Sequence, residues 1–174
     1  ATIIKKAREM GVSPEFELPP ANKGKIAIVG GGPSGIGAAV ALRQLGYEPE
    51  IFENEELGGQ AALIPGARLD RGMLMSDLMW VVECFHLKHQ KKQITEPKGL
   101  LGEGFKAVLV AGGLNEPIRL NIPGEESAIY GMEILKQPGC FLFKDKRIAL
   151  VGGAIAADQA LTIANAGAAH VEMI

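Results

Sequence analysis

Six consecutive residues in the first part of the chain could bind a phosphate group. Residues 30–35 read Gly-Gly-Gly-Pro-Ser-Gly, so Gly30, Gly32 and Gly35 form the pattern Gly-x-Gly-x-x-Gly. In this pattern the first glycine allows a tight turn, the second lets the backbone approach a pyrophosphate, and the third lets a helix pack against a strand. A helix that begins here presents free N–H groups and partial positive charge to the phosphates. The spacing therefore predicts a dinucleotide site.

The residues around this turn predict the elements that such a site needs. An apolar run at 25–29 predicts a strand buried on both faces, residues 36–45 predict a helix, and residues 48–52 predict a second strand. The crossover helix makes the two strands parallel. Glu53 follows the second strand, 23 residues after Gly30, where an acid accepts hydrogen bonds from ribose hydroxyls. The glycine turn, the predicted strand–helix–strand order around it and Glu53 together indicate a nucleotide-binding βαβ unit.

A loop, a helix and one more strand are predicted before a second glycine cluster. Residues 58–69 are rich in glycine and proline and predict a loop. Residues 70–92 place apolar side chains on one face and predict a helix, and residues 106–110 predict a strand. We interpret the basic residues near the end of that helix, among them Lys88 and His89, as charge that complements the helix dipole.

The second glycine cluster lies in a second predicted βαβ unit, over residues 147–174. Taking Gly152 as the first glycine of the pattern makes Ala154 the second, whereas a shifted alignment leaves Val151 where the first glycine belongs. In either alignment we expect the turn to be one residue short. A Cβ would then intrude where phosphate meets the backbone. We therefore expect the cluster Gly152, Gly153 and Ala154 to bind a nicotinamide nucleotide weakly.

Several motifs together resemble the FAD site of the two-dinucleotide-binding flavoprotein oxidoreductases. They are residues 30–35, Ile51-Phe52-Glu53, Leu57-Gly58-Gly59, the run Leu-Ile-Pro-Gly-Ala-Arg-Leu at 63–69, the strand and glycines at 105–113, and Ile122-Pro123-Gly124-Glu125. Within that family the chain is similar to the branch that contains the glutamate synthase small subunit and the flavin/NADPH half of dihydropyrimidine dehydrogenase. It departs from the family pattern at Gly112, where the family has threonine.

The resemblance implies an α/β fold and a set of cofactor contacts. It implies a Rossmann-type FAD-binding parallel sheet followed by the start of a second, NAD(P)-type βαβ unit. The turn would hold the FAD pyrophosphate and Glu53 the adenosine ribose. Gly59, Gln60 and Arg68 would lie along the flavin side, and residues 111–113 would pass close to the FAD. The candidate FAD-binding residues are Gly30, Gly32, Pro33, Ser34, Gly35, Glu53, Asn54, Gly59, Gln60, Arg68, Ala111, Gly112 and Gly113.

On this basis the chain divides into three parts. Residues 1–24, which contain a Pro-Pro pair, are expected to form an N-terminal arm. Residues 25–125 are expected to form the FAD-binding domain, and residues 126–174 a connector and a partial NAD(P)-binding βαβ unit.

The function that the resemblance implies is electron relay from NAD(P)H through FAD to a further acceptor. We expect a partner subunit or further domains to carry iron–sulfur centres or the substrate site, and the chain alone to turn over weakly. A non-catalytic FAD- or nucleotide-binding structural subunit of a larger redox complex is the alternative. A simple NAD-dependent dehydrogenase that uses the first cluster is disfavoured by Leu57-Gly58-Gly59 and Ala111-Gly112-Gly113.

Composition excludes several other classes of protein. Eighteen basic and twenty acidic residues give a net charge of −2. A general nucleic-acid binder needs an excess of positive charge, which this chain does not have. No stretch approaches the roughly 18 uncharged apolar residues of a membrane helix, so we expect a cytoplasmic protein. The two cysteines form no Cys-x-x-Cys pair, and the histidines show no metal-binding spacing. We therefore expect neither a redox dithiol nor a metal ligand set, and no catalytic side chain is assigned.

Overall fold

The two predicted βαβ units fold as separate parts of the chain. The structure, a computed structural model, describes residues 6–7, 9–12, 16–114, 116 and 118–174. The first unit comprises the described residues of Ala1–Ala62 and Arg71–Leu114, and the second those of Leu63–Asp70 and Asn115–Ile174. The chain therefore passes from one unit to the other more than once. The three-part division made from the sequence stays a prediction.

A parallel four-stranded sheet forms the centre of the first unit. Its strands, in the order β3-β2-β1-β4, are β1 (Lys25–Val29), β2 (Glu48–Glu53), β3 (Lys88–Lys91) and β4 (Ala107–Val110). In the register of the central strands, Ile28 of β1 lies beside Ile51 of β2 and Leu109 of β4. Helix α1 (Pro33–Gln44) connects β1 to β2. The predicted parallel βαβ unit is confirmed.

Both faces of the central strands are buried, as the apolar runs predict. Ile28 and Ile51 are fully buried and pack on one face with α1 and with helix α2 (Arg71–Cys84). Successive residues of a strand point to opposite faces. Accordingly Ala27 and Phe52 pack on the other face, against Leu100 and Phe105.

The order of the strands creates a switch point between β1 and β4. From β1 the chain continues to β2 and β3 on one side of the sheet and then returns to β4 on the other side. In open parallel sheets, ligands bind outside the carboxyl ends of the strands at such a point. Gly30 follows β1, Glu53 ends β2 and Ala111 follows β4. All three candidates therefore lie at the carboxyl edge.

The helix predicted over residues 70–92 is wrong beyond Cys84, and so is the interpretation of its basic residues. The N–H of Leu87 donates to the carbonyl of Val82 at 2.9 Å, and the N–H of His86 to that of Glu83 at 3.1 Å. His86 has a left-handed φ of 50°. This is a Schellman motif, which ends a helix and is usually marked by glycine. Because histidine stands here instead, the sequence contained no stop signal.

The basic residues beyond this point belong to strand β3 and pair with acidic residues of β2. Lys88 Nζ donates to Glu48 Oε1 at 2.5 Å, and Gln90 Nε2 donates to Glu50 Oε1 at 2.5 Å. The hydrogen bond between Lys88 and Glu48 lowers the pKa of the glutamate and raises the pKa of the lysine. All four residues of β3 are exposed, because β3 is an edge strand of the sheet. A polar strand is stable there because the acidic side chains of β2 are its partners.

The second unit contains the second predicted βαβ unit. Strands β5 (Arg147–Leu150) and β6 (His170–Met173) are parallel, and helix α4 (Ala154–Asn165) connects them. A shorter helix, α3 (Gly131–Lys136), packs on α4. The core of this unit consists of Ile134, Phe143, Leu150 and Ile163.

In the part of the chain that the structure describes, no helix has the length and the apolar run that crossing a membrane would require. The same residues include no group of three or more acidic, histidine or cysteine side chains that could hold a metal ion.

The end of α2 generates a stability prediction. His86→Gly should raise the free energy of unfolding by about 0.5–1 kcal/mol, because glycine adopts the left-handed conformation without a Cβ clash. His86→Ala should give no such gain, since alanine keeps the Cβ. Urea denaturation followed by circular dichroism measures both variants. Equal stability of the glycine and alanine variants would contradict the assigned helix end.

Candidate functional site

Two of the three glycines of the Gly-x-Gly-x-x-Gly pattern, Gly30 and Gly35, are required by the packing of the chain itself. Gly30 has a φ of 112°, and a Cβ there would overlap the carbonyl oxygen of Ala111 beyond β4. A Cβ on Gly35 would overlap the carbonyl oxygen of Gly30. These glycines let the turn lie against β4 and let α1 lie against the turn. They shape the site whether or not a ligand is bound.

Gly32 has no such packing reason to be glycine. Its φ of −74° and ψ of −178° are extended backbone that any residue adopts. The nearest atom to a Cβ on Gly32 would be the Cα of Gly59 at 3.9 Å, which is ordinary contact. The absent side chain therefore leaves open space and relieves no clash. A backbone that must approach a pyrophosphate needs that space, so this position fits a dinucleotide.

The first turn of α1 begins at this open space. Gly32 is the N-cap without a side-chain hydrogen bond, and Pro33 is the first helical residue. The N–H of Ile36 donates to the carbonyl of Gly32 at 3.0 Å. The N–H groups of Ser34 and Gly35 precede that bond and have no intrahelical carbonyl to reach. Together with the helix dipole they form an arrangement that favours an anion.

The Glu53 carboxylate is held in a fixed position at the end of β2. The N–H of Gly31 donates to its Oε2 at 2.6 Å, and the N–H of Glu55 donates to its Oε1 at 2.9 Å. A carboxylate can accept about four hydrogen bonds, so each oxygen keeps acceptor capacity. The neighbouring Asn54 is exposed. Glu53 can therefore accept hydrogen bonds from a diol while it remains tied to the turn.

The loop that follows β2 closes on the glycine turn. Leu57 is buried in the core of the first unit, and the N–H of Gly58 donates to the carbonyl of Gly31 at 2.8 Å. Gly59 then approaches so closely that a Cβ on it would lie 3.0 Å from the Cα of Gly32. A Cβ at this distance is tighter than an ordinary contact and would push the loop and the turn apart by a few tenths of an ångström.

The segment that follows β4 leaves the sheet beside the same turn. The N–H of Ala111 donates to the carbonyl of Val29 at 2.7 Å. Gly112 and Gly113 come next and are exposed, and Gln60 Nε2 donates to the carbonyl of Leu114 at 3.0 Å. The first unit thus brings together every candidate FAD residue except Arg68.

A cavity of about 350 Å³ lies beside Glu53 in the first unit. Its apolar lining is Leu57 with Met75 and Met79 of α2, and its polar lining includes residues 89–91 of β3. Sequence reasoning missed the β3 residues, because it assigned them to a helix. The strand register, in which Lys91 lies beside Glu53, brings them to this edge.

Arg68 belongs to the second unit. Its Nη1 donates to Asp158 Oδ1 at 2.6 Å, across 90 residues of sequence. Of the residues that the structure describes, Asp158 is the one charged residue that is buried, with 7% of its surface exposed. The guanidinium therefore compensates a buried carboxylate. The position of Arg68 along the flavin stays a prediction from the resemblance.

The prediction that the second turn is one residue short is wrong. Three residues, Val151–Gly153, separate β5 from α4, just as Gly30–Gly32 separate β1 from α1. By its place between strand and helix, Gly153 corresponds to Gly32. The shifted alignment, which leaves Val151 in the place of the first glycine, is therefore the one that the structure adopts.

The position of the second turn that corresponds to Gly32 is consequently a glycine. A Cβ on Gly153 would meet no atom within 4 Å, and Gly153 is the N-cap of α4. Ala154 is the first helical residue, the place that Pro33 has in α1. The N–H of Gly152 donates to the carbonyl of Ile174 at 3.3 Å. Compared with the first turn, Val151 stands in the place of Gly30 and Ala156 in the place of Gly35.

Comparison with known proteins agrees with this geometry. Residues 24–174 match the family described as "Pyridine nucleotide-disulphide oxidoreductase". The NADP(+)-dependent formate dehydrogenase subunit beta of Moorella thermoacetica is 30% identical over 163 residues, which is 86% of this chain and 23% of that protein. The glutamate synthase [NADPH] small chain of Bacillus subtilis is 28% identical over 141 residues, 77% of this chain and 28% of that protein. The predicted resemblance is confirmed.

A solved structure of a 2-naphthoyl-CoA reductase in complex with 2-naphthoyl-CoA is similar in fold. The TM-score is 0.71 at 22% identity, and the match covers 95% of this chain and 26% of that one. The chain thus spans about a quarter of the length of these three proteins. The predicted α/β class is confirmed as a Rossmann-like FAD-binding fold with a second parallel strand pair.

The buried ion pair generates a prediction for the second unit. Arg68→Met should lower the free energy of unfolding by about 1–2 kcal/mol, because it leaves the buried Asp158 carboxylate without its partner. Arg71→Met is the matched control, since the pair that Arg71 forms with Glu56 is exposed at both ends and should contribute under about 0.5 kcal/mol. Urea denaturation measures the free energy of unfolding of both variants and of the wild type. Equal losses would show that burial of Asp158 is without consequence.

Proposed function

The chain belongs to the pyridine nucleotide-disulphide oxidoreductase family, and from that premise we propose that its first unit binds FAD and relays electrons between NAD(P)H and a further acceptor. The family implies binding of FAD and NAD(P). One observation carries the assignment of FAD to the first unit: Gly32 leaves open space that no chain contact explains. The start of α1 and the fixed Glu53 carboxylate adjoin that space.

In this proposal the backbone holds the pyrophosphate and Glu53 holds the adenosine ribose. The N–H groups of Gly32, Ser34 and Gly35 would donate to phosphate oxygens. The acceptor capacity left on Glu53 suits the two ribose hydroxyls, and its charge would repel a 2′-phosphate. The cavity beside Glu53 offers room on the adenosine side.

The flavin side would be held by residues 59–60 and by the segment after β4. When bound, FAD supplies hydride acceptance from a nicotinamide and onward release of electrons singly or in pairs. The residues of this chain would bind and orient it. Because the chain has no Cys-x-x-Cys pair, the proposal concerns electron relay and not dithiol exchange.

The second unit would take the nicotinamide nucleotide. The open Gly153 at the start of α4 supports this, because it offers phosphate the same access as Gly32. Two relatives are described as NADP(+)-dependent and as NADPH enzymes, which supports a nicotinamide donor. They are also a "subunit beta" and a "small chain", which supports a partner that supplies the acceptor.

The first test of the proposal is the identity of the bound nucleotide and its dependence on Gly32. Denaturing the purified protein should release FAD. Gly32→Val should abolish FAD binding, because the branched side chain fills the phosphate space, while stability without cofactor stays within about 1 kcal/mol. Gly35→Ala should instead destabilise the unloaded protein by about 2 kcal/mol or more, since its Cβ would overlap a carbonyl oxygen.

Gly37→Val is the matched control for the loss of FAD. Gly37 lies on α1, and a Cβ there would meet no atom within 4 Å. This variant should keep full FAD occupancy. Release of NAD from the wild type, or retention of FAD by Gly32→Val, would contradict the proposed site.

Val151 favours the second candidate function, a structural subunit that binds FAD without turnover. In the first turn the corresponding residue is Gly30, whose φ of 112° a β-branched residue does not adopt. We therefore expect weak nicotinamide binding and slow bleaching of the flavin absorbance when the protein is mixed anaerobically with excess NADH or NADPH.

Val151→Gly should accelerate that bleaching at least tenfold, and Ala157→Gly, an exposed change on α4, should not. Rapid, saturable bleaching of the wild type at micromolar nucleotide would contradict weak binding. Absence of bleaching in both wild type and Val151→Gly would favour the structural subunit.

A further inference from the structure

Helix α4 carries a buried carboxylate one turn after its start. Ala154 is the first residue of α4 and Asp158 the fifth, so the two lie on the same face of the helix. Side chains of a helix lean toward its N-terminus, which brings the Asp158 carboxylate toward the first turn. In α1 the corresponding position is Gly37, which carries no charge. By itself, the carboxylate of Asp158 would repel a phosphate group at the second glycine turn.

Arg68 reverses this effect, because its guanidinium is paired with the carboxylate. Its Nη1 donates to Asp158 Oδ1 at 2.6 Å. The backbone of Arg68 is held in a turn, in which its N–H donates to the carbonyl of Pro65 at 2.8 Å. The Arg68 side chain is 59% exposed, whereas that of Asp158 is 10% exposed. The guanidinium therefore lies where the buried carboxylate meets the solvent.

The guanidinium has further hydrogen bonds to offer at this place. It carries five N–H donors in a planar fork, and the bond to Asp158 uses one of them. Arginine pairs with phosphate through two parallel hydrogen bonds. The four residues from Ala154 to Asp158 span about 6 Å along the helix axis. Beside Asp158, the guanidinium is thus close to the first turn of α4, where the N–H groups of Ala154 and Ile155 have no intrahelical carbonyl to reach.

We propose that Arg68 is a ligand-binding residue of the nicotinamide site: its guanidinium, fixed by Asp158, donates hydrogen bonds to the pyrophosphate of NAD(P) at the second glycine turn. The inference rests on the proposed binding of a nicotinamide nucleotide in the second unit. It differs from the resemblance, which would place Arg68 along the flavin. Because NAD and NADP share the pyrophosphate, the contact serves both nucleotides equally.

The experiment removes Arg68 from a protein in which Asp158 has already lost its charge. Asp158→Asn keeps Oδ1 as an acceptor for the guanidinium and removes the buried charge. The double variant Arg68→Met/Asp158→Asn then loses the guanidinium without leaving a buried carboxylate unpaired. The difference between these two variants measures the guanidinium itself. Arg71→Met is the matched control, because it removes the same charge from an exposed pair with Glu56.

Two quantities are measured on the full chain. The first is the dissociation constant of NAD⁺ and of NADP⁺, which carry no hydride and leave the flavin oxidised. It is obtained from the ¹⁵N–¹H amide resonances of residues 152–155, which report on the second turn and follow weak binding as well. The second is the rate of FAD release on dilution, followed by flavin fluorescence.

Asp158→Asn and Arg71→Met should each bind both nucleotides within about threefold of the wild type. The double variant should bind both about tenfold or more weakly than Asp158→Asn, the loss of one charge-assisted hydrogen bond, while FAD release keeps its rate. Equal affinity of the double variant and Asp158→Asn would overturn the contact. Weaker binding of NADP⁺ alone would overturn the contact with the shared pyrophosphate. Faster FAD release with unchanged nucleotide binding would place Arg68 at the flavin and overturn the inference.

The failure of the proposed function is distinguishable from that of the inference. If neither nucleotide shifts the amide resonances of residues 152–155 in the wild type, the nicotinamide site is wrong, and the role of Arg68 falls with it. If both nucleotides shift them and the double variant binds as tightly as Asp158→Asn, the nicotinamide site stands and only the role of Arg68 is wrong.

Discussion

The close approach of backbone segments at the carboxyl edge of the first sheet is the constraint on which the site depends. The glycine turn lies against the carbonyl of Ala111, and α1 lies against the carbonyl of Gly30. Both contacts occur at distances that a Cβ would prevent. They direct the start of α1 toward the open position at Gly32. They also bring the ends of β1, β2 and β4 into one surface, where a nucleotide can contact backbone N–H groups and the Glu53 carboxylate.

The same constraint divides the fingerprint into residues that serve the fold and residues that serve a ligand. Gly30 and Gly35 would be glycines in a protein that bound nothing, because the chain itself occupies the space of their side chains. Gly32 and Gly153 are glycines without a neighbour to explain them. The sequence motif alone does not show which of its glycines are required by packing and which leave space for a ligand. The structure separates them by what a side chain would meet.

The helix predicted over residues 70–92 ends early because long-range pairing decides the local structure beyond Cys84. Residues 88–91 are charged and polar and suggest the end of a helix, yet they form a strand because Glu48 and Glu50 lie beside them. The left-handed turn at His86 lacks the glycine that marks most such turns. The ion pair of Arg68 is a long-range contact as well, because its partner Asp158 lies 90 residues away in the sequence.

The fold class, the two βαβ units and the position of the glycine turn after β1 are predictable from the sequence alone. Apolar strands, amphipathic helices and glycine spacing are local properties, and each is legible within a window of a few residues. The cavity beside Glu53, the partner of Arg68 and the hydrogen bond between Gln60 and Leu114 are defined only in the folded chain. Each of these joins residues that are far apart in the chain, through hydrogen bonds or contacts that many side chains could form. Their pairing becomes defined only when burial of the two cores has fixed the strand order.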